Sequence, residues 1–200
     1  MNIINCEQGS ADWFNSRKGK LTASHATAIG NNGKGLETYV IELMAEYYSS
    51  AEKESYTNED MERGHELEAQ ARSIYELEND CKVEEVGFIE HNQFVGCSPD
   101  GLVGEDGGIE IKCLNDKNYF MHLIDERAEI DSGHMWQIQM NLLITGRAWW
   151  DYIIYNPNYK NSIIVKRIYP DQDKFKSLLI GFEIGTEKIK NIINKMKKYE

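Results

Sequence analysis

The sequence has little proline and cysteine and no long apolar run. Only three of the 200 residues are proline and four are cysteine. The cysteines lie far apart without a Cys-x-x-Cys pair, at Cys6, Cys81, Cys97 and Cys113. This spacing argues for reduced thiols and against both a disulfide framework and an iron–sulfur site. The apolar runs cover only a few residues, and the start of the chain lacks a basic segment followed by an apolar one. We therefore expect a soluble protein with no membrane span and no signal peptide.

The sequence also lacks a zinc-binding histidine motif and a net positive charge. The chain has five histidines, none in a His-Glu-x-x-His pattern, which excludes a zinc hydrolase of that kind. The formal net charge is −11, whereas the phosphate backbone of a nucleic acid normally selects a basic surface. A nucleic-acid-binding role therefore requires lysine and arginine to be concentrated in a local groove, a distribution that net charge does not report.

Length and hydrophobic periodicity predict one domain over residues 1–200. Apolar residues at helical spacing predict helices over residues 8–18, 22–29, 36–48, 59–77, 115–129 and 134–145, and a long helix from 171 onward. Alternating and β-branched residues predict strands over residues 82–89, 94–97, 109–113, 148–155 and 162–168. This order predicts an α/β (α+β) domain with a mixed central sheet flanked by helices.

The most informative stretch is a predicted hairpin that contains Asp100 and residues 109–113. Apolar residues at alternate positions of its second arm leave Glu110 and Lys112 together on the other face. A three-residue loop over 105–107, closed by Gly107 in the left-handed region, would place Asp100 opposite Lys112. Two carboxylates and one ammonium group would then converge.

Such a cluster is suited to phosphodiester hydrolysis. Two nearby carboxylates repel each other unless a divalent cation lies between them, and hard oxygen ligands suit Mg²⁺ or Mn²⁺. A metal-bound water can attack phosphorus, while Lys112 offsets the charge that develops on the phosphate oxygens. The alternative is that Asp100 only forms a turn after Pro99 and that Glu110 and Lys112 are an ordinary exposed pair. Taken alone, so short a pattern favours that alternative.

A second group of polar residues precedes the helix predicted near residue 22. Arg17, Thr22 and Ser24 place a guanidinium group and two hydroxyls beside the exposed amides of a helix start, where a phosphate can bind. The alternative is that the hydroxyls only cap the helix and that Arg17 is only solvated, and these residues alone favour it.

Several separated segments resemble the lambda exonuclease family of phage recombination systems, part of the PD-(D/E)XK nuclease superfamily. They follow the family's order and cover most of the chain: RKGKLTAS at 17–24, Arg63-Gly64 followed by Glu68-Ala69, CSPDGL at 97–102, GIEIKC at 108–113 and WQIQ at 136–139. With the two hairpin arms counted as one, these are four separated motifs, which are far harder to match by chance than one, so together they favour the nuclease. The resemblance implies a restriction-endonuclease-like fold.

The resemblance also implies roles for individual residues. The implied catalytic residues are Asp100, Glu110, Lys112 and Gln137. The implied metal ligands are Asp100, Glu110, Ile111, Glu68 and Glu90. The implied binding site for a DNA 5′ phosphate is Arg17, Thr22, Ser24 and Ser98. Three of these have a simpler alternative: Glu68 as an exposed partner of Arg72, Glu90 as a surface residue and Gln137 as a solvated helix residue.

By resemblance, we expect a Mg²⁺-dependent exonuclease, with Mn²⁺ as a substitute, that degrades double-stranded DNA 5′ to 3′ from 5′-phosphorylated ends and leaves single-stranded 3′ overhangs. The family works as a homotrimer alongside a single-strand annealing protein, here in the cytoplasm of a bacterium that carries the phage or prophage. One alternative is a PD-(D/E)XK endonuclease with the same chemistry. Another is a noncatalytic DNA-binding module on the same fold, against which the intact Asp100, Glu110 and Lys112 count.

Overall fold

The computed structural model describes residues 2–50, 59–125 and 127–199, with the backbone alone for 59–63. The strands within these ranges are β1 Asn2–Ile4, β2 Leu21–Thr22, β3 Val83–Glu84, β4 Phe88–Asn92, β5 Val95–Cys97, β6 Gly101–Val103, β7 Gly107–Cys113, β8 Trp149–Tyr155 and β9 Ile163–Ile168. The helices are α1 Ala11–Arg17, α2 Ala26–Asn31, α3 Lys34–Tyr48, α4 Glu59–Asn79, α5 Asp116–Ile124, α6 Ser132–Thr145 and α7 Gln172–Met196, with a 3-10 turn at Ala23–His25 before α2.

A five-stranded sheet in the order β3-β6-β7-β8-β9 forms the centre of the molecule. Strands β7 and β8 are parallel, and every other neighbouring pair in this sheet is antiparallel. A parallel pair needs a long crossover connection, which α5 and α6 provide. The prediction of a mixed sheet flanked by helices is confirmed.

A second sheet, in the order β1-β4-β5-β2, was not predicted as a separate unit. Its formation divides the strand expected over residues 82–89, because Val83–Glu84 pairs in the central sheet while Phe88–Asn92 pairs with β1 and β5. The backbone between these two strands passes close to the N-terminal segment. A Cβ atom on Gly87 would lie only 2.4 Å from the carbonyl oxygen of Cys6, so a glycine is needed at this crossing.

The long C-terminal helix predicted from residue 171 is confirmed as α7, and it covers one side of the core. It buries Leu178, Phe182 and Ile189 and packs closely against α2. At that contact, a Cβ atom on Gly181 would lie 2.1 Å from the carbonyl oxygen of Ile29. The absence of a side chain therefore allows the two helices to approach.

The other predicted helices are found with shifted ends, and α5 ends at Ile124 rather than at residue 129. The second hairpin forms as predicted from β8 and β9, and only Trp150 of the two adjacent tryptophans is fully buried. Most of the polar loop expected over 49–58, and the packing expected of Met61, lie outside what the structure describes. Within the described ranges, none of the helices combines the length and apolar character needed to cross a membrane.

Candidate active site

The hairpin formed by β6 and β7 carries the candidate catalytic residues. Gly101 pairs with Ile109 and Val103 with Gly107, so the turn is 104–106, with Gly104 at a φ of 52°. The loop predicted over 105–107 was therefore wrong by one residue, and the register brings Asp100 next to Glu110 rather than opposite Lys112. Because the loop has three residues in either case, the acids still share a face, as predicted.

The turn of this hairpin is held by a residue that sequence analysis missed. The Arg147 guanidinium group donates hydrogen bonds to the carbonyl oxygens of Val103, Gly104 and Gly107 at 3.3, 2.8 and 2.6 Å.

A Cβ atom on Gly108 would lie 2.3 Å from the Trp150 ring. The strand that carries Glu110 is thus packed too closely against β8 to accept a side chain at this position.

Glu110, Lys112 and Asp100 form the centre of the site. Glu110 is completely buried, and its Oε1 lies 2.7 Å from Lys112 Nζ. Asp100 Oδ2 accepts a hydrogen bond from the backbone N–H of Ile111 at 2.6 Å, which fixes this carboxylate beside β7. The structure therefore brings the three predicted catalytic side chains into one cluster, and the alternative of an ordinary exposed Glu110–Lys112 pair was wrong.

Burial and mutual repulsion make the two acids hard to ionise. Burial, reinforced by the Asp100 carboxylate, raises the pKa of Glu110 to about 8. Burial also raises the pKa of Asp100, against the opposing effect of Lys112. Burial alone would lower the pKa of Lys112, but the two acids outweigh it and raise that pKa. A divalent cation beside these acids would favour their ionised forms, because its charge acts in the same direction as that of Lys112.

The residues present fit a Mg²⁺ ion that keeps part of its water shell. Among the described residues, no group of three or more His, Cys, Asp and Glu side chains forms a complete ligand set. Mg²⁺ does not need one, since it commonly binds one or two carboxylates and retains several waters. Glu110 Oε1 is buried and lies 2.7 Å from Lys112 Nζ, but within the described part of the chain it accepts no hydrogen bond of good geometry. It therefore has a lone pair available for a cation. Asp100 and Glu110 are the oxygen donors that fit, while a ligand role for Ile111 remains a prediction.

Glu68 lies on α4 in a cleft of about 510 Å³ that it shares with Asp100, His65 and Arg72. Burial, and next the Asp100 carboxylate, raise the pKa of Glu68. Arg72 instead pairs with Glu85 at 2.7 Å, so the alternative of a Glu68–Arg72 pair was wrong. Glu68 therefore lines the same cleft as Asp100, while its role as a metal ligand stays a prediction.

Glu90 lies on β4, in the other sheet. Its Oε1 lies 3.3 Å from Lys20 Nζ, and its Oε2 accepts a hydrogen bond from Asn2 Nδ2 at 2.6 Å. These contacts link β4 to β1 and to the segment before β2. The metal role of Glu90 stays a prediction, and the contacts of this carboxylate do not favour it.

Helix α6 contributes a side chain that contacts the candidate active site. Gln137 is half-buried on this helix, and Asn141 follows one turn later on the same face. Asn141 Nδ2 donates a hydrogen bond to Glu110 Oε2 at 3.3 Å. Asn141 was not among the predicted site residues, although its i+4 spacing from Gln137 was a usable signal. The catalytic role of Gln137 remains a prediction.

A histidine–tyrosine pair completes the surroundings of Lys112. Tyr152 pairs with Glu110 in the β7–β8 register, and its hydroxyl lies 2.8 Å from His134 Nδ1. Burial raises the pKa of Tyr152 to about 12, and burial together with Lys112 lowers the pKa of His134. Tyr152 is therefore neutral at neutral pH and protonation of His134 is disfavoured; neither residue was among the predicted site residues.

The four residues predicted to bind a phosphate also come together. Arg17 donates hydrogen bonds to Ser98 Oγ at 3.2 Å and Ser24 Oγ at 3.5 Å, and Thr22 Oγ1 lies 3.2 Å from Ser24 Oγ. The Arg17 guanidinium group lies 4.1 Å from the centre of the Trp13 ring, whose Nε1 donates to Ser98 Oγ at 2.9 Å. Trp13 was missed by sequence analysis and holds both partners in place.

This predicted phosphate pocket, defined by Arg17, Thr22, Ser24 and Ser98, opens on a cleft of about 340 Å³. Burial lowers the pKa of Arg17 below its usual value, because the guanidinium group is partly removed from water. The capping prediction was wrong for Thr22, whose hydroxyl contacts Ser24 and Tyr39 and makes no cap hydrogen bond. Ser98 is two residues from Asp100, so the pocket adjoins the acids.

Comparison with solved structures supports the same fold. The crystal structure of an alkaline exonuclease from Laribacter hongkongensis matches with a TM-score of 0.83 and 29% identity, covering 95% of this chain and 97% of that one, and a structure of the same enzyme in complex with dAMP matches equally well. A phage-related exonuclease from Haemophilus somnus 129PT shares the fold, with a TM-score of 0.59 and 16% identity, covering 88% of this chain and 96% of that one. None of the curated proteins matches significantly.

The family model of the YqaJ-like viral recombinase domain matches residues 12–148. This span contains the phosphate pocket, the β6–β7 hairpin and α6. The predicted resemblance to the lambda exonuclease family and the predicted PD-(D/E)XK-type fold are both confirmed. The chain therefore belongs to the YqaJ-like viral recombinase domain family.

Proposed function

We propose that this protein is a Mg²⁺-dependent exonuclease that degrades double-stranded DNA from 5′-phosphorylated ends, 5′ to 3′, and leaves single-stranded 3′ overhangs. The observation that carries the proposal is the position of the buried Asp100–Glu110–Lys112 cluster beside the phosphate pocket. Similarity to a named alkaline exonuclease over 95% of the chain supports this reading over a noncatalytic module.

Each residue of the cluster has a distinct part in this reaction. Asp100 and Glu110 would hold the metal ion, which supplies an activated water and stabilises negative charge on the phosphate when bound. Lys112 is an ammonium donor beside Glu110 and offsets the charge that develops on a phosphate oxygen. The backbone N–H of Ile111 keeps Asp100 directed toward the site. The Mn²⁺ ion has similar ligand preferences and should substitute for Mg²⁺.

The phosphate pocket supports action at an end. A terminal phosphate carries more charge than an internal diester, and a guanidinium group with adjacent hydroxyls can bind its oxygens directly. Because Ser98 belongs to the pocket and Asp100 to the acids, a bound 5′ end would lie next to the hydrolytic site. This arrangement supports removal of nucleotides in the 5′-to-3′ direction.

We also propose that the protein works as a homotrimer with a single-strand annealing protein, in the cytoplasm of a bacterium that carries the phage or prophage. A net charge of −11 disfavours simple electrostatic retention on DNA. A closed ring would keep the enzyme on its substrate by topology instead. Sedimentation velocity at working concentrations gives the oligomeric state, and the number of nucleotides removed per binding event gives the processivity. The two measurements together test this link. A monomer that still digests processively would contradict it.

The main experiment compares linear DNA with covalently closed circular DNA. The wild type should degrade only the linear form and only with Mg²⁺ or Mn²⁺, and Asp100→Asn or Glu110→Gln should reduce turnover by orders of magnitude with the fold retained. Glu105→Gln is the matched control, because Glu105 is an exposed acid in the turn of the same hairpin. Cleavage in excess chelator would refute the metal mechanism. Cutting of the closed circle would favour the endonuclease.

A further inference from the structure

Helix α6 contains two buried side-chain amides with different surroundings. Gln139 is 1% exposed and Asn141 is completely buried, although they are only two residues apart. A buried amide is unfavourable unless its donors and acceptor are hydrogen-bonded. The partners of each amide therefore indicate why it is there.

The amide of Gln139 has a structural role that its contacts explain fully. Its Nε2 donates to the carbonyl oxygen of Tyr169 at 2.9 Å, and its Oε1 accepts from the backbone N–H of Asp171 at 2.8 Å. These bonds tie α6 to the segment that starts α7. Both ends of this amide are satisfied by backbone groups.

The amide of Asn141 is satisfied only at the end that faces the candidate active site. Its Nδ2 donates to Glu110 Oε2 at 3.3 Å, while its Oδ1 has no hydrogen-bond partner among the residues that the structure describes. A leucine has nearly the same shape and would avoid burying an unpaired oxygen. Stability of the core therefore does not account for this asparagine, whereas its contact with Glu110 does.

We propose that Asn141 is a positioning residue that holds the Glu110 carboxylate in the orientation that binds the divalent cation, an inference that rests on the proposed function. Lys112 Nζ lies 2.7 Å from one oxygen of Glu110, and Asn141 donates to the other. Contacts at both oxygens fix the plane of the carboxylate, and groups that orient metal-binding side chains in this way strongly affect metal affinity.

The test measures Mn²⁺ binding without DNA, by electron paramagnetic resonance of the free ion. Asn141→Leu should weaken Mn²⁺ binding by roughly ten- to a hundredfold, the usual effect of losing such an orienting group. Its melting temperature in chelator should fall less than that of Gln139→Leu, because the variant leaves one acceptor, Glu110 Oε2, without its donor but also removes the unpaired buried oxygen of the amide. With DNA ends, kcat should fall at limiting metal while KM for the ends is retained.

Gln139→Leu is the matched control on the same helix. This variant leaves the carbonyl of Tyr169 and the N–H of Asp171 without their partner, so its melting temperature should fall. Its Mn²⁺ affinity should remain within about twofold of the wild type, because its amide does not contact Glu110. The two variants should thus separate metal affinity from stability.

Unchanged Mn²⁺ affinity in folded Asn141→Leu, or an equal loss in Gln139→Leu, overturns the proposal. If Asn141→Leu does not fold, Asn141→Ala replaces it with the same expected loss of affinity. If neither variant folds, Asn141 serves folding and the positioning role is overturned. A wild type that neither binds Mn²⁺ nor degrades DNA would instead refute the proposed function, so the two failures are distinguishable.

Discussion

Replacing Arg17 by alanine should remove most of the preference for 5′-phosphorylated ends. The Arg17 guanidinium group is positioned before any DNA arrives, by Ser98 Oγ at 3.2 Å and by the Trp13 ring 4.1 Å from the guanidinium carbon. Because it is already partly removed from water, binding a phosphate requires little further loss of hydration or side-chain freedom.

The size of the effect follows from the charge difference between the two kinds of end. A hydrogen bond to a charged group contributes about 1.5–3 kcal/mol, which corresponds to roughly a ten- to hundredfold change in binding. Ser24→Ala removes a neutral donor and should change use of the phosphorylated end by only about two- to tenfold. Ends that carry a 5′ hydroxyl should be affected far less by either substitution.

The assay compares initial rates on duplexes that differ only in the 5′ phosphate. Lys18→Ala is the matched control, since Lys18 is exposed, lies next to Arg17 in sequence and stacks toward Tyr47 with its Nζ 5.7 Å from the ring centre. Loss of this charge should lower the rates on both substrates by a similar factor, because it weakens only the general attraction to DNA.

Two results would refute the reasoning. The first is an Arg17→Ala enzyme that keeps the wild-type ratio of rates on the two substrates. The second is a wild type without any preference for the phosphorylated end. In either case Arg17 stabilises the contact between α1 and Ser98 but does not read the end of the DNA.

Three further predictions concern stability. Burial raises the pKa of Glu110 from 4.5 to about 8, so between these pH values the folded chain keeps a proton that the unfolded chain has lost. The melting temperature in chelator should therefore fall as the pH rises from 4.5 to about 8. Mg²⁺ should restore the melting temperature most near pH 8. A pH-independent melting temperature would contradict this. By urea denaturation, Gly64→Ala should stabilise by about 0.5–1 kcal/mol, because a Cβ atom there meets none of the described atoms within 4 Å. Gly181→Ala should destabilise by about 1–3 kcal/mol or more, and the opposite order would contradict the packing. Tyr75→Phe removes the 2.7 Å hydrogen bond to the buried Asp151 carboxylate and should destabilise by about 1.5–3 kcal/mol in the same assay, and an unchanged value would show that this bond is not needed.

Local patterns in the sequence were sufficient for several parts of this structure. Alternation over residues 109–113 placed Glu110 and Lys112 on one face, because side chains on a strand must alternate whatever its neighbours are. Helix α6 begins after Asp131, which caps it, and ends at Gly146 with a φ of 67°. Caps and periodicity involve residues a few positions apart, so a sequence contains the information needed to predict them.

Other local patterns were ambiguous until the neighbours were known. A three-residue loop over 104–106 and one over 105–107 both leave the acids on the same face of the hairpin, so alternation could not choose between them. The structure has the loop over 104–106, together with hydrogen bonds from Arg147 to Val103 and Gly107. The continuous β pattern over 82–89 was divided only because its halves pair with different strands. Each choice depends on residues tens of positions away.

The sequence by itself determined the kinds of residue available for the chemistry and the face on which each would lie. Only the tertiary structure decided how far they are from one another: it buries Glu110 between Lys112 and Asn141, brings Ser98 to Arg17 and pairs Glu90 with Lys20. The physical reason is that alternation and capping are short-range steric effects. Burial, charge coupling and the altered pKa of Glu110 arise only when packing excludes water from groups that are distant in sequence.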